Sequence, residues 1–403
     1  MNSSNKEKNY LEEAILRLAL IGGRLQGLEA IYLAKKAKIT TLLIDREPNT
    51  PASTIADENY IFDVMKQEDL FVKLCKTIDA VLPTTEDMKT LVFLEKTCNR
   101  LGIPFLQDNN AFWITSNKTR SKNFLTNHSI DVPKSGSDAI FPLIVKPARL
   151  SGSVSIRKVS TPSQLPHIIN EVSKIDQEVI VEEFVEGLAI SLEVLAMKGN
   201  PVSFQITDLE FDESYGCKRV TAPTVIPNRI KTTFIETGLK IANGLNLNGL
   251  TDVQSIVTSS NSIKTNEINA RLPSQTPTVV FHSTGINIVE EIVNMFLKNT
   301  LTSNKVDIEK GVVYQHVSIR DRSLKVQGEH IFADAKNLMH ELNFFGADEA
   351  ITNFFCNDIN EKRVATLIVI NKTLEEAKKK INAVIEEIMS EFALTQYIDQ
   401  KPN

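Results

Sequence analysis

The densest chemistry in the chain is Glu267-Ile268-Asn269-Ala270-Arg271. In an extended strand, residues two apart face the same way, so Glu267 and Asn269 share a face. A hairpin is predicted from Leu250 to Ala270, turning at Ser259-Ser260-Asn261-Ser262, which sets Asp252 opposite Glu267 and Asn269. Two carboxylates and an amide oxygen then converge. That hard-oxygen set suits magnesium shared with phosphates. Without a cation the carboxylates repel, so the alternative is a polar hairpin with no metal. Gln254, on the same face as Asp252, is uncharged and the poorer candidate. Arg271 follows at the rim, placed to grip a carboxylate or an acyl phosphate.

Lysines supply the complementary charge. Val145-Lys146-Pro147 ends a predicted strand, and Ser151-Gly152-Ser153-Val154-Ser155 follows as a small, hydroxyl-rich loop. Lys146 offers phosphate oxygens a point charge, and the loop offers backbone N–H groups. Lys118 opens a basic helix and can bring a second cation; surface charge is the alternative for both lysines. The strand Val179–Val181 runs into Glu182-Glu183-Phe184-Val185, a segment that can line an adenine or simply end in solvent. Asp208, Glu210, Asp212 and Glu213 beside Tyr215 suit substrate ammonium groups, the alternative being a solvated loop. Gly22-Gly23-Arg24-Leu25-Gln26-Gly27 resembles a dinucleotide fingerprint, but Arg24 blocks the approach of a pyrophosphate that a glycine there allows. A nicotinamide or flavin oxidoreductase is therefore the weaker reading, and an anion at the helix N-terminus is the other use for this turn. The six histidines form no HxH or HExxH spacing, and the four cysteines form no CxxC pair, so zinc and disulfide scaffolds are not expected.

These groups need elements to hold them. Strand, turn, helix and strand from Ile15 to Asp45 form a βαβ unit, continued by Ile78–Leu82 and a helix from Met88 to Cys98, which reads as a small parallel sheet. Beyond Pro133 the pattern is strand-rich: Leu143–Val145, Ile156–Val159, Val179–Val181 and Ile190–Met197, with helices at Gln164–Val172 and Ile286–Leu297. After about Asn299 the clear features are a strand at Thr366–Ile370 and a helix whose apolar residues run from Leu374 to Ile388. Three domains are expected, at about 1–105, 106–300 and 301–403. The length of 403 residues agrees at roughly 150 residues per domain. The net charge is −5, which excludes a chain built to cover nucleic acid. No apolar run approaches the ~20 residues of a membrane span. The polar stretch Met1–Tyr10 has no secretory core, so a cytoplasmic protein is expected.

Taken in order, these pieces resemble the ATP-grasp superfamily. The resemblance implies an ATP-grasp fold, α/β and α+β, with an N-terminal parallel-sheet pre-domain and a C-terminal α+β domain. The stretches GGRLQGLEAIYLAKKA (22–37), AVLPTTED (80–87), VEEFVEG (181–187) and EINARLPSQTPTVVFHSTGIN (267–287) are similar to the ligase family of pyrrolysine biosynthesis. That family couples 3-methyl-D-ornithine to the side-chain amine of L-lysine with ATP. The resemblance implies ATP contacts at Lys118, Lys146, Ser151, Ser153, Val154, Glu182, Glu183, Phe184 and Val185. It implies Mg2+ at Asp252, Glu267 and Asn269. It also implies substrate contacts at Gly23, Leu25, Gln26, Glu86, Asp212, Glu213, Tyr215 and Ser274, with Arg271 and Lys146 catalytic. Ala189 stands where many relatives hold the ribose with an acid, leaving Glu186 or Glu193 for that role. Another ATP-grasp amino-acid, peptide or carbamoyl-type ligase is the alternative within the class. The C-terminal domain is expected to cover the nucleotide cleft or to form a homodimer face.

Overall fold

The computed structural model describes residues 16–301, 309–355 and 362–402. Met1–Tyr10 and Cys356 lie outside these residues. Strand β1 (Arg17–Ile21), helix α1 (Leu25–Lys36), β2 (Thr40–Asp45), β3 (Glu58–Ile61), α2 (Glu68–Leu74), β4 (Ala80–Pro83) and α3 (Met88–Leu101) form the first unit. Its sheet is parallel, in the order β3-β2-β1-β4. Both faces of the central strand are covered, which is why Leu18–Ile21 is a continuous apolar run. Asp87 caps α3 by accepting the Thr90 N–H at 2.9 Å, and Gly102, with φ of 71°, ends it in the left-handed region.

Helices α4 (Asn109–Thr115) and α5 (Lys118–Asn127) lead into a three-stranded antiparallel sheet. It comprises β5 (Leu143–Pro147), β6 (Arg157–Val159) and β7 (Val179–Glu183), backed by α6 (Leu165–Ser173). Then follow β8 (Leu188–Met197), β9 (Asn200–Ser203), β10 (Thr207–Phe211), β11 (Cys217–Ala222), α7 (Asn228–Gly244), β12 (Gly249–Val257), β13 (Ile263–Asn269), α8 (Thr276–Thr284) and α9 (Ile288–Lys298). The rest comprises β14 (Gly311–Arg320), β15 (Ser323–Val326), β16 (Met339–Leu342), β17 (Glu349–Thr352), β18 (Arg363–Asn371), α10 (Leu374–Glu391) and β19 (Gln396–Ile398).

One large sheet runs β13-β12-β8-β10-β11-β14-β18-β17-β16. The link between its halves is the β11–β14 pair, with Arg219 opposite Gln315 and Val220 opposite Tyr314. Strands after residue 309 thus extend the sheet that carries the β12–β13 hairpin. One apolar core likewise joins Leu28 and Ile31 of α1, Val279 and Val280 of α8, and Tyr314 of β14. The cleft lies between this large sheet and the small sheet of β5–β7.

Candidate functional site

The hairpin forms as the sequence predicts, with Asp252 opposite Asn269 and Gln254 opposite Glu267. Depth separates the expected ligands. Asp252 is fully buried, and its carboxylate accepts the Ser191 hydroxyl at 2.6 Å, the Gln254 amide at 2.9 Å and the Asn269 amide at 3.3 Å. Both amides spend their NH2 groups on Asp252, so their oxygens are the atoms left for a cation. Gln254, Glu267 and Asn269 line the cleft, whereas Asp252 lies beneath them. Glu193 is also corrected. It is fully buried opposite Asp252 in the sheet, with no surface for a ribose. Burial, with the Asp252 carboxylate beside it, raises its pKa. Asp252 is raised by burial, with Arg271 and its three donors pulling it back.

Glu267 behaves differently. Burial alone would raise it, but Lys118, Lys146 and Arg271 outweigh that and hold it ionised. Lys118 Nζ lies 3.3 Å from Glu267 and donates to the Leu150 carbonyl at 2.6 Å. Its helix is fixed by Asn117, whose side chain caps α5 through the Arg120 N–H at 2.9 Å. Lys146 is buried on β5 and meets Glu182 of β7 at 2.6 Å, the two sitting diagonally across the small sheet. The other Glu182 oxygen takes Lys122 at 2.7 Å. Burial would raise Glu182, yet Lys146 and Lys122 hold it below the usual carboxylate range. Sequence reasoning missed Lys122, although it lies one helical turn from Lys118. Leu125, Val132 and Ile180 wall this end of the cleft.

The next segment is partly spent on the fold. The Glu183 carboxylate accepts the Lys134 N–H at 2.9 Å, and the Glu183 and Phe184 amides donate to Lys134 and Pro142. Their N–H groups are therefore not available to a base edge, while among the described residues the Val185 N–H meets no acceptor. A Cβ on Gly187 would lie 2.2 Å from the Val257 carbonyl, so glycine lets this segment touch the end of β12. In the Ser151–Ser155 loop, Gly152, Ser153 and Ser155 all have left-handed φ. The Ser153 hydroxyl is engaged by the Tyr215 carbonyl at 2.6 Å, and Val154 is half exposed.

The far end of the cleft joins Arg271 to Glu86 at 2.9 Å, and Gln26 donates to the Leu272 carbonyl at 2.7 Å. This ties the Gly23–Gln26 turn to the strand end. The Gly23 N–H donates to Asp45 at 2.7 Å, and a Cβ at Gly23 would strike Thr50. An acid of the protein itself occupies the turn where a dinucleotide would need the pyrophosphate. Leu25 is half-buried beside it. The acidic loop is corrected as well. Asp212 accepts the N–H groups of Ser214, Gly216 and Gly328, at 2.8, 3.0 and 2.7 Å, with His330 Nδ1 at 3.7 Å, so its carboxylate is spent on holding the loop. Glu210 pairs with Arg219, and Asp208, on the same face of β10, accepts from the Val225 N–H. Glu213 is exposed, and Tyr215, with φ of 64°, keeps its hydroxyl buried. Ser274 does line the cleft, and its hydroxyl donates to Glu329 at 3.2 Å. Glu329 is the second residue that sequence reasoning missed.

Residues 18–106 match the family model described as "PylC-like, N-terminal domain", and residues 111–295 match "D-ala D-ala ligase C-terminus". The 3-methyl-D-ornithine–L-lysine ligase of Methanosarcina mazei is 30% identical over 376 residues, covering 93% of this chain and 96% of the relative. The chain belongs to the 3-methyl-D-ornithine–L-lysine ligase family. The Methanosarcina barkeri ligase is 31% identical, covering 90% of this chain and 95% of its own. Among solved structures, the biotin carboxylase domain of Hydrogenobacter thermophilus 2-oxoglutarate carboxylase, in complex with magnesium ADP and bicarbonate, aligns with a TM-score of 0.71 and 17% identity. It covers 92% of this chain and 90% of that one, so the ATP-grasp fold expected from the motifs is the fold observed. In this ligase family member, the N-terminal turn, the cleft hairpin and the strand end at Arg271 meet at one place.

Proposed function

We propose that the chain is an ATP-dependent, ADP-forming ligase that joins the carboxylate of 3-methyl-D-ornithine to the side-chain amine of L-lysine. The observation that carries this reading is the near full-length likeness to ligases of that name, combined with one cleft holding Lys118, Lys146, Glu267 and Arg271 together. The terminal phosphoryl group of ATP would pass to the carboxylate, giving an acyl phosphate. The lysine amine then attacks the acyl carbon, the C–N bond forms, the C–O bond to phosphate breaks, and the amine's proton leaves.

Lys118 and Lys146 neutralise the phosphates, and Arg271 holds the acyl oxygen end. Glu182 keeps Lys146 and Lys122 in place, since a shared carboxylate fixes both Nζ atoms. Positioning supplies most of the effect, because loose phosphoryl transfer asks for little covalent help from the protein. Magnesium shared with phosphates needs only one or two protein carboxylates. Glu267 with the amide oxygens of Gln254 and Asn269 fits it. When bound, the ion would supply positive charge beside the phosphates.

The test supplies ATP, magnesium, L-lysine and D-ornithine (a demethylated surrogate), then follows ADP and the amide by mass. ADP release that needs neither amino acid would refute the substrate pair. Glu267→Gln should abolish turnover while far-ultraviolet circular dichroism stays unchanged, and near-normal activity would remove Glu267 from the site.

A further inference from the structure

Helix α1 carries one polar stripe among buried apolar residues. Gln26, Glu29, Tyr32 and Lys36 recur at spacings of three and four, so they lie on one side of the helix. Each meets a partner on a later element. Gln26 donates to the Leu272 carbonyl at 2.7 Å, and Glu29 accepts the Thr278 hydroxyl. The Tyr32 oxygen sits 2.7 Å from His282 Nε2, and Lys36 Nζ meets Glu349 Oε1 at 2.7 Å. The Leu33 carbonyl accepts the Asn287 amide at 2.7 Å. Down α1, the partners Leu272, Thr278, His282 and Asn287 thus follow in chain order.

Tyr32 and His282 form the middle of this seam, and both are buried. The Tyr32 hydroxyl gives its one proton to Glu349 Oε2 at 2.9 Å, and the same oxygen meets His340 Nε2 at 2.6 Å. Burial would raise Glu349, but His340 and Lys36 hold it at about 2. Burial pushes His282 down to about 4, so its ring is neutral. With the Tyr32 proton spent on Glu349, the ring donates its Nε2–H to the Tyr32 oxygen. Buried polar pairs roughly break even against apolar ones of the same shape, so an apolar seam would hold the helices as well. Apolar contact is non-directional, and what the polar seam adds is register.

Register matters because both helices start at the cleft. α1 begins just after Gly23 and Arg24, and α8 just after Ser274 and Gln275, which line the cleft with Arg271. A slip of one residue moves a helix end by about 1.5 Å, and a misplacement of about 1 Å can cost about 100-fold in rate. We infer that Tyr32 and His282 are positioning residues for the ligase reaction: their contact fixes the slide of α1 along α8, and so the spacing of the Gly23–Gln26 turn from Arg271 and Ser274. The inference rests on the ligase reading above for its substrates. Lys118 and Lys146 stand on α5 and β5, outside the seam, so the effect falls on the amino acids and spares ATP.

The experiment compares Tyr32→Phe, His282→Leu and His282→Gln in the full chain, by initial rates of amide formation from D-ornithine, L-lysine and ATP. The first variant keeps the ring and loses the hydroxyl, the second loses the donor, and the third offers an amide N–H where Nε2–H stood. Tyr32→Phe and His282→Leu should raise the KM for D-ornithine or L-lysine about fivefold with the KM for ATP unchanged, the factor that one ordinary hydrogen bond carries. His282→Gln should behave like wild type. A seam that only holds the fold would lower the denaturant midpoint and leave every KM alone, so unchanged KM values overturn the inference. An equal rise for ATP overturns it too, as does a His282→Gln variant impaired like His282→Leu. A wild type that makes no amide refutes the ligase reading and takes the inference with it, whereas an active wild type with indifferent variants refutes the seam alone.

Discussion

Glu29 sits in α1 with no solvent exposure, and its two oxygens accept the hydroxyls of Thr278 in α8 and Tyr314 in β14. It therefore ties the N-terminal unit to the helix behind Ser274 and Gln275 and to the strand that links the halves of the large sheet. Burial pushes its carboxyl from 4.5 up to about 7, with the two hydroxyls pulling the other way. An unfolded Glu29 ionises near 4.5, so between there and about 7 the unfolded state holds fewer protons than the native one. Stability therefore falls as pH rises through that window and the loss is complete above it. At about 1.4 kcal/mol per pH unit, the full penalty is about 3 kcal/mol. Glu29→Gln removes the titration and keeps the shape. Relative to wild type, the variant should gain about 2 kcal/mol between pH 5.5 and pH 8.5, read from denaturant midpoints at both values. Other buried acids such as Glu193 titrate in both proteins and cancel in the comparison. If the two proteins move in parallel between these pH values, Glu29 is ionised throughout in the native state, and the reasoning fails.

Asp252→Asn should weaken magnesium activation about 10–100-fold, because the carboxylate that orients the Gln254 and Asn269 amides is lost; a magnesium titration of turnover checks it. Glu182→Gln leaves Lys146 and Lys122 facing each other without a counterion, a loss of about 3–5 kcal/mol. Amide exchange in Leu143–Pro147 and Val179–Glu183 should accelerate, and saturating ATP should restore part of the protection by supplying negative charge. Asp399→Asn should cost a similar amount, because Lys218 is fully buried and its ammonium meets Asp399 at 2.5 Å. The denaturant midpoint reports it, and an unchanged midpoint would show that the Gln400 carbonyl, also 2.5 Å away, is enough.

Period and register carry the hairpin. Alternation of side chains puts Asp252, Gln254, Glu267 and Asn269 on one face, and a polar turn fixes which residues meet. Depth does not follow from period. The strand β8 that buries Asp252 comes from another part of the chain, so an acid that faces the right way lies one layer too low, and the less charged Gln254 takes the surface. The same limit explains the acidic loop. Acids close together read as a cation site, yet a tight turn exposes backbone N–H groups that claim Asp212 first. Glu329 was illegible for a different reason. Its neighbours form short strands with little alternation, and only the pairing of β11 with β14 carries this stretch to the cleft.

The cleft sorts charge by neighbour rather than by total. Glu182 is buried and Glu267 partly buried, and each is kept ionised by lysines it meets directly. Glu193 and Asp252 are fully buried and face each other, and both are raised. Four carboxylic acids thus divide into two held ionised beside lysines, and two pushed toward the protonated form within the sheet. Three of these four stand on the central sheet: Glu193 on β8, Asp252 on β12 and Glu267 on β13. What separates their roles is whether the next residue inward is a lysine or another acid, and that is set by which strands pair.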